Sequence, residues 1–163
     1  MQSITVKELT EKSFRGFGSF YDVLNPTGQN LGDFYHDHVL FPVLGGQAVG
    51  FSSLLCHSPE EMIVSAAEYH NYTAEILLPL DGDVIIHVAP PSKEAVSHLT
   101  EAFLVPKGTL VKLHTGVWHL APFSIRKEIT HVLIALPERT YMNDCVVVEY
   151  PEDQQIRIQC NSK

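Results

Sequence analysis

The sequence predicts an all-β fold, a small sandwich or barrel that carries one or two short helices. Apolar runs of strand length, most of them rich in β-branched residues, recur along the chain. Turn-forming residues separate these runs, as in DGD at 81–83 and PKG at 106–108, and many short strands at this spacing are typical of sandwiches and barrels. The predicted strands are Val39–Leu44, Val49–Leu55, Ala74–Leu80, Val84–Val88, Ala102–Val105, Thr109–His114, Ile129–Leu136 and Cys145–Tyr150.

Two segments predict short helical structure. Thr10 has the hydroxyl of a helix N-cap and precedes a segment in which Phe14 and Phe17 would turn towards the body of the domain. The segment Lys93–Leu99 follows a Pro-Pro pair and predicts one helical turn or a loop between strands. Neither segment is long enough to change the all-β prediction.

The length and composition of the chain predict a single domain. A chain of 163 residues, of which 45% are hydrophobic and 18% charged, suits one compact globular domain with its own core. Within it we expect an N-terminal strand and helix over 1–34, a barrel over 35–150 and a C-terminal tail over 151–163.

The net charge of −8 argues against nucleic-acid binding, because a negative surface repels phosphate backbones. A small anionic substrate stays compatible with this charge, since a metal or a cationic pocket overcomes the mean field locally. No apolar run approaches the roughly 20 residues that cross a bilayer, and MQSITVKELTEKSF lacks the apolar core of a signal peptide. The three widely separated cysteines form no disulfide framework, so we expect free thiols in a reducing cytoplasm and no membrane partner.

Two segments rich in histidine and glutamate carry the predicted chemistry. In the first, EYHNYTAEILLPLDG at 68–82, Glu68 and His70 stand two residues apart and point to the same face of a strand. Glu75 follows in the next extended run, after a polar NYT break. Two of these three side chains therefore share a face, and the third lies close by along the chain.

The second segment is GTLVKLHTGVWH at 108–119, in which Lys112 and His114 share one face of a predicted strand and His119 follows a glycine turn. Lys112 would attract a carboxylate if it faces inward, and a solvent-facing lysine is the alternative. His114 is predicted in the pocket or in a structural turn, and Trp118 in the pocket wall or the core. If the two segments are neighbours in a small barrel, four ligands converge inside it: Glu68, His70, Glu75 and His119.

The residue types in this set predict a cofactor. Imidazole and carboxylate together suit zinc, manganese, iron or nickel, and the set is too rich in nitrogen for a calcium site. We therefore expect one divalent metal ion from this group. The remaining histidines on apolar strands, His87 and His131, are expected to be hydrogen-bonded core residues.

The spacing of the two segments resembles the paired motifs of the cupin superfamily. The matching positions are Glu68-x-His70-x4-Glu75-x6-Gly82 and Gly108-x5-His114-x-Gly116-x2-His119. Glu68 stands where the first motif histidine is expected, and His114 replaces the motif proline. The resemblance implies a cupin-type double-stranded β-helix, or jelly-roll, barrel. It also implies a homodimer, in which the strand Ser3–Val6 would cover the sheet edge of a neighbour.

Among cupins, the chain is similar to the ureidoglycolate lyase family, formerly called ureidoglycolate hydrolases. The stretches that carry this resemblance are LTEKSFRGFG at 9–18, Tyr35-His36-Asp37, Glu68-x-His70, HTGVWHLAPF at 114–123 and Asn143-Asp144-Cys145. Two positions depart from the family pattern. Phe34 stands where an arginine would precede Tyr35, and Leu120 replaces a second histidine. Arginine is the natural bidentate clamp for a carboxylate substrate, so the first departure concerns substrate choice.

The resemblance implies that the protein splits ureidoglycolate into glyoxylate and urea, a late step of purine and allantoin breakdown. Glu68 or His114 would then act as the base or the acid, and Tyr35, Lys112 and Trp118 would contact the substrate. One alternative is another metal-dependent cupin enzyme, such as a sugar-acid isomerase, a decarboxylase or a dioxygenase, which the two departures favour. The other is a barrel that binds a small ligand without turning it over.

Overall fold

The structure is a computed structural model that describes residues 1–125 and 128–160. In these ranges it contains short helices α1 (Glu11–Phe14) and α2 (Thr140–Asn143), with 3₁₀ turns at Ser97–Leu99 and Glu152–Gln154. The strands are β1 (Gln2–Glu8), β2 (Gly18–Asp22), β3 (Asn30–Leu31), β4 (Phe34–Tyr35), β5 (Val49–His57), β6 (Met62–Val64), β7 (Ala66–Tyr69), β8 (Glu75–Pro79), β9 (Val84–Ala89), β10 (Glu101–Val105), β11 (Thr109–Leu113), β12 (Trp118–His119), β13 (Phe123–Ser124), β14 (Ile129–Pro137), β15 (Val146–Glu149) and β16 (Ile156–Gln159). No helix in the described ranges has the length and apolar character needed to cross a membrane.

The larger sheet has nine strands in the order β15-β7-β12-β9-β10-β1-β16-β6, with β13 also paired to β9. The consecutive strands β6 and β7 lie near opposite ends of this order, yet Ser65 alone connects them. The sheet must therefore curl until its ends approach each other, and the Tyr150 backbone N–H closes the gap by donating to the Ser65 carbonyl at 2.7 Å. The curled sheet surrounds a core that includes Ile85, Ala102, Trp118, Tyr150 and Ile156.

The smaller sheet has five strands in the order β2-β11-β8-β14-β5 and packs on the β9–β10 region of the larger sheet. The second core lies between the two sheets, and α1 covers one end of it. Phe14 is completely buried there and meets Phe103 edge to face at 5.2 Å. Thr10 caps α1 through a capping box with Ser13, because each residue's side chain bonds to the other's backbone N–H. The predicted cap, the burial of Phe14 and Phe17, and the all-β jelly-roll class are confirmed.

The structure corrects two predictions about the β-structure. The run Val39–Leu44 contains no strand, because Pro42 has no N–H to donate to a ladder and Gly45-Gly46 follows at once. The N-terminal strand β1 lies within the larger sheet of its own chain. It pairs in parallel with β16 along Gln2–Thr5 and, on its other side, with β10 along Val6–Glu8.

The predicted tail over 151–163 contains regular structure. Ile156–Gln159 forms β16, which pairs with β1 and β6 inside the larger sheet. Residues 161–163 of that prediction lie outside the described residues. The segment predicted as one turn or a loop, Lys93–Leu99, ends in the 3₁₀ turn Ser97–Leu99.

Candidate metal centre

Three strands from the two sheets bring the predicted ligands to one place. In the larger sheet, β7 and β12 are neighbours, and Glu68 lies directly opposite His119. His70 follows β7 two residues after Glu68 and therefore points to the same face. Glu75 is the first residue of β8 and reaches the group from the smaller sheet. The cluster thus lies between the sheets, at one end of the core that they share.

The distances in this cluster are those of a compact ligand set. One ligand atom each from Glu68, His70 and His119 lies within 4.8 Å of the other two. Glu75 Oε2 lies 3.0 Å from His70 Nε2 and 3.1 Å from His119 Nε2. His70, Glu75 and His119 are buried, whereas Glu68 is half-buried. The structure therefore brings Glu68, His70 and His119 into one mutually close group, and Glu75 joins it through its contacts with the two histidines. Glu68 is the most exposed of the four.

Backbone carbonyls orient both imidazole rings. His70 Nδ1 lies 2.6 Å from the Asp144 carbonyl oxygen, and His119 Nδ1 lies 2.9 Å from the Val117 carbonyl oxygen. A carbonyl only accepts, so each Nδ1 carries the proton and each Nε2 is directed at Glu75. This is the arrangement in which metal-binding histidines are usually held: Nδ1 donates to a fixed acceptor, and Nε2 is left for the metal.

The electrostatics of the cluster favour a bound cation. Burial by itself would raise the pKa of Glu75, but the adjacent imidazoles of His119 and His70 outweigh it and lower that pKa to about 2. Burial would lower the pKa of His119, yet the Glu75 carboxylate raises it above its ordinary value. An unprotonated Nε2 and a carboxylate oxygen both present lone pairs and repel each other. A proton or a divalent metal between them removes this repulsion. Imidazole nitrogen with carboxylate oxygen fits zinc, manganese, iron or nickel, as the residue types predicted.

Comparison with known proteins shows the family of this chain. The family model described as ureidoglycolate lyase matches residues 1–158. The chain belongs to the ureidoglycolate lyase family. It is 26% identical, over an alignment of 175 positions, to a ureidoglycolate lyase of Pseudomonas fluorescens (strain Pf0-1), with 96% of each chain covered. It is also 26% identical, over an alignment of 172 positions, to a ureidoglycolate lyase of Pseudomonas syringae pv. tomato (strain ATCC BAA-871 / DC3000), with 99% of this chain and 98% of the relative covered.

Lys112 and Trp118, two of the predicted substrate-binding residues, point away from the candidate metal cluster. Lys112 pairs with Ile76, one position along from the Leu113–Glu75 pair, so it lies on the opposite face of the smaller sheet. Its Nζ donates to the Leu40 carbonyl at 2.9 Å. Trp118 alternates with His119 on β12 and packs into the core of the curled sheet, where its Nε1 donates to the hydroxyl of Ser92 at 2.9 Å. The period of two along a strand is the physical reason for both placements.

His114 and Tyr35 were also predicted to act on the substrate. His114 lies at the surface, and Tyr35 lies in a separate hairpin. His114 has an exposed side chain and follows β11, and its backbone N–H donates to the Phe17 carbonyl at 2.8 Å. The turn that it begins touches the cluster, because the Gly116 N–H donates to the His70 carbonyl at 2.9 Å. Tyr35 is half-buried in the two-stranded sheet of β3 and β4, opposite Asn30. The roles of His114 and Tyr35 stay predictions.

The structure adds residues that sequence reasoning did not assign to the site. The Cys145 thiol donates to Glu68 Oε2 at 3.0 Å, and burial raises its pKa to about 12, as does the nearby Glu68 carboxylate. Asp144 contributes the carbonyl that holds His70. The only signal for these two positions was the Asn143-Asp144-Cys145 stretch of the family resemblance. The Val117 carbonyl left no signal, since every residue has a carbonyl group.

Of the two histidines predicted in the core, His87 is buried and His131 is exposed. His87 is 2% exposed on β9, and burial together with the nearby His119 lowers its pKa to about 4. Its predicted burial is confirmed. The prediction for His131 is wrong, because its exposed side chain bonds through Nδ1 to Asp81 Oδ2 at 2.9 Å. His131 shares the outer face of the smaller sheet with its partner Leu55 on β5, and that face is not covered at this point.

Proposed function

We propose that this protein is a metal-dependent lyase that splits ureidoglycolate into glyoxylate and urea in purine and allantoin breakdown. The observation that carries the proposal is the pair of imidazoles with Nε2 directed at the buried Glu75, in a chain of the ureidoglycolate lyase family. His70, Glu75, His119 and Glu68 would hold one zinc, manganese, nickel or iron ion. We place the enzyme in the cytoplasm, because the three cysteines are free thiols, which a reducing compartment preserves.

The reaction is a proton transfer coupled to cleavage of a carbon–nitrogen bond. The carbinol hydroxyl loses its proton, its oxygen forms the aldehyde double bond, and the C–N bonding electrons leave with the urea nitrogen, which gains a proton. Lewis-acid activation of the hydroxyl is the chemistry that the metal supplies when bound. Every other requirement falls on side chains: a base, an acid and a group that holds the carboxylate.

Glu68 is best placed to act as the base. It is half-buried, whereas His70, Glu75 and His119 are buried, so it is the cluster residue that a substrate oxygen can approach from solvent. His114 is proposed as the acid, because it begins the turn whose Gly116 N–H bonds to His70 and its exposed ring can exchange protons with water. General acid–base catalysis of this kind typically contributes about 10²–10⁴-fold in rate.

The test is metal analysis of the freshly purified protein, together with a urea-release assay on ureidoglycolate. We expect a stoichiometric divalent metal and stereoselective urea release, both lost in His70→Ala and His119→Ala. The matched control is His98→Ala, which removes an exposed histidine from the 3₁₀ turn and should change neither result. Full urea release by the two cluster variants would refute the proposal.

A second candidate is a metal-dependent cupin enzyme that acts on another hydroxy acid or sugar acid. The observation that favours it is at Phe34, where the family pattern has an arginine. The Phe34 side chain is 64% exposed and stacks on His36 with ring centres 6.2 Å apart, so position 34 offers no carboxylate clamp. Bound metal without urea release, followed by turnover of a sugar acid, would identify this alternative. Ligand binding without turnover would indicate a binding barrel.

The protein is also proposed to form a homodimer, through the outer face of the smaller sheet. β5 is an edge strand, and Phe51 and Leu55 on it are 71% and 50% exposed. The span 39–59 contains no Asp, Glu, Lys or Arg, although the chain carries a net charge of −8. Two copies can approach each other through this span without like-charge repulsion. We expect light scattering to give about twice the monomer mass and Phe51→Glu to give a monomer. Leu99→Glu, an exposed apolar control on the 3₁₀ turn, should leave a dimer.

A further inference from the structure

Asp144 ties down the segment that follows β7. Its carboxylate accepts the backbone N–H of Asn71 at 2.7 Å through Oδ1 and that of Tyr72 at 2.8 Å through Oδ2. Its carbonyl oxygen accepts the Nδ1 proton of His70 at 2.6 Å. One residue, more than 70 positions away in sequence, therefore fixes both the backbone after His70 and the ring of His70 itself.

Cys145 makes the matching contact with the other ligand from the β7 segment. Its Sγ lies 3.0 Å from Glu68 Oε2, and because a carboxylate accepts, the thiol is the donor. This contact uses one lone pair of Oε2, which leaves Oε1 for a metal and the second lone pair of Oε2 for a substrate proton. Cys145 directly precedes β15, whose pairing with β7 begins at Val146–Tyr69 and continues at Val147–Glu68. The thiol is thus held beside Glu68 by the sheet itself.

The dipeptide is anchored at its other end as well. The Asp144 N–H donates to the Thr140 carbonyl at 2.8 Å, which closes α2. The hydroxyl of Thr140 is buried and donates to the Pro137 carbonyl at 2.7 Å, at the end of β14. Asp144 and Cys145 therefore stand between two fixed points, α2 on one side and the β15–β7 ladder on the other. A rigid support of this kind can impose an orientation on its partners, whereas a mobile loop cannot.

We propose that Asp144 and Cys145 are positioning residues of the metal centre: Asp144 sets the tautomer and ring orientation of His70, and Cys145 sets the carboxylate of Glu68. The inference deepens the proposed function and rests on it. The β7 backbone places the Cβ atoms of Glu68 and His70, but it leaves their side-chain torsions free. Partners of this kind typically raise metal affinity or activity by about 10–100-fold.

The first experiment measures zinc binding to the metal-free full-length protein by calorimetric titration. Cys145→Ala removes the thiol donor, and Cys145→Ser replaces it with a hydroxyl donor. Asp144→Ala removes both backbone anchors, and Asp144→Asn keeps one acceptor oxygen. We expect the two alanine variants to bind zinc about 10–100-fold more weakly. Cys145→Ser should recover most of the loss. The control is Cys160→Ala, which removes an exposed thiol elsewhere.

A second readout reports on His70 directly and needs no activity. Nitrogen-15 NMR of the histidine rings distinguishes the Nδ1–H tautomer from the Nε2–H tautomer. The measurement uses metal-free protein, because zinc bound at Nε2 would by itself hold the proton on Nδ1. We expect metal-free wild type to show His70 protonated at Nδ1. Asp144→Ala keeps the carbonyl but loses the two carboxylate anchors that hold it in place, so it should show a mixture or exchange broadening. The Cys145 variants should leave the His70 tautomer unchanged, because their contact is to Glu68. A general loss of stability would not produce this residue-specific pattern.

The outcomes separate the inference from the proposed function. Absence of urea release in wild type, with zinc bound and the variants weakened as expected, would refute the lyase reaction and leave the positioning roles standing. Wild-type zinc affinity and an unchanged His70 tautomer in folded Asp144→Ala and Cys145→Ala would overturn the inference and leave the lyase intact. If Asp144→Ala fails to fold, Asp144→Asn and the Cys145 pair decide the matter through the same measurements.

Discussion

Acidification should destabilise the protein through His87, a histidine outside the candidate metal cluster. His87 is 2% exposed in the core of the curled sheet, and its ring lies 5.6 Å from that of Phe123. Burial first, and the charge of His119 second, lower its pKa from 6.5 to about 4. The folded protein therefore keeps His87 neutral at a pH at which the unfolded chain already binds a proton.

The sign and size of the effect follow from proton linkage. Between pH 6.5 and 4 the unfolded state binds the extra proton, so the free energy of unfolding falls as the pH falls. Each pH unit in this window costs about 1.4 kcal/mol, and the whole window costs about 3 kcal/mol. This is a large part of the roughly 5–15 kcal/mol that stabilises a typical domain. Above pH 6.5 the contribution is constant.

The assay is urea denaturation of wild type and His87→Gln at several pH values from 7 to 4, with chelator present throughout. Gln cannot titrate, and its amide can still donate to the backbone beside it. The variant should lose about 3 kcal/mol less than wild type across the window. Acid effects of the cluster residues occur in both proteins and cancel in the difference, apart from the coupling between His87 and His119. Equal losses in the two proteins would refute the assignment of a neutral buried His87.

Three further predictions concern the sheets and the cluster. Gly18→Ala would place a Cβ in collision with the backbone oxygen of Lys112 and should separate β2 from β11, which lowers the melting temperature. Gly16→Ala has open space around its Cβ and should leave the melting temperature unchanged. Phe14→Ala removes a completely buried ring and should lower the free energy of unfolding by about 3–5 kcal/mol in urea denaturation. Glu75→Gln keeps the shape of the side chain but removes the negative charge shared by two imidazoles, so calorimetry should show zinc binding at least 10-fold weaker. Unchanged zinc affinity in Glu75→Gln would exclude this carboxylate as a ligand.

Local patterns predicted most of the β-structure. β-branched runs such as Val84–Val88 and Ile129–Leu136 became strands because they are buried on at least one face. The pattern failed at Val39–Leu44, where apolar residues line a proline-containing segment whose side chains are partly exposed. It also missed α2, a four-residue helix that is too short to show a period.

Residue type and spacing by themselves determined which residues are candidate ligands, because Glu68, His70, Glu75 and His119 bring their ligand chemistry wherever the chain puts them. Only the tertiary structure decided how they are oriented. The direction of each Nε2 depends on the carbonyls of Val117 and Asp144, and a backbone carbonyl leaves no mark in a sequence.

The tertiary structure also decided on which face of its sheet each side chain lies. Lys112 and Trp118 occupy predicted strand segments, and their neighbours in sequence belong to the predicted site. A shift of one residue in register reverses which side chains face inward. Pairing with Ile76 turns Lys112 outward, and the alternation along β12 turns Trp118 into the other core. The sequence determined which chemical groups are present, and strand pairing determined which of them meet.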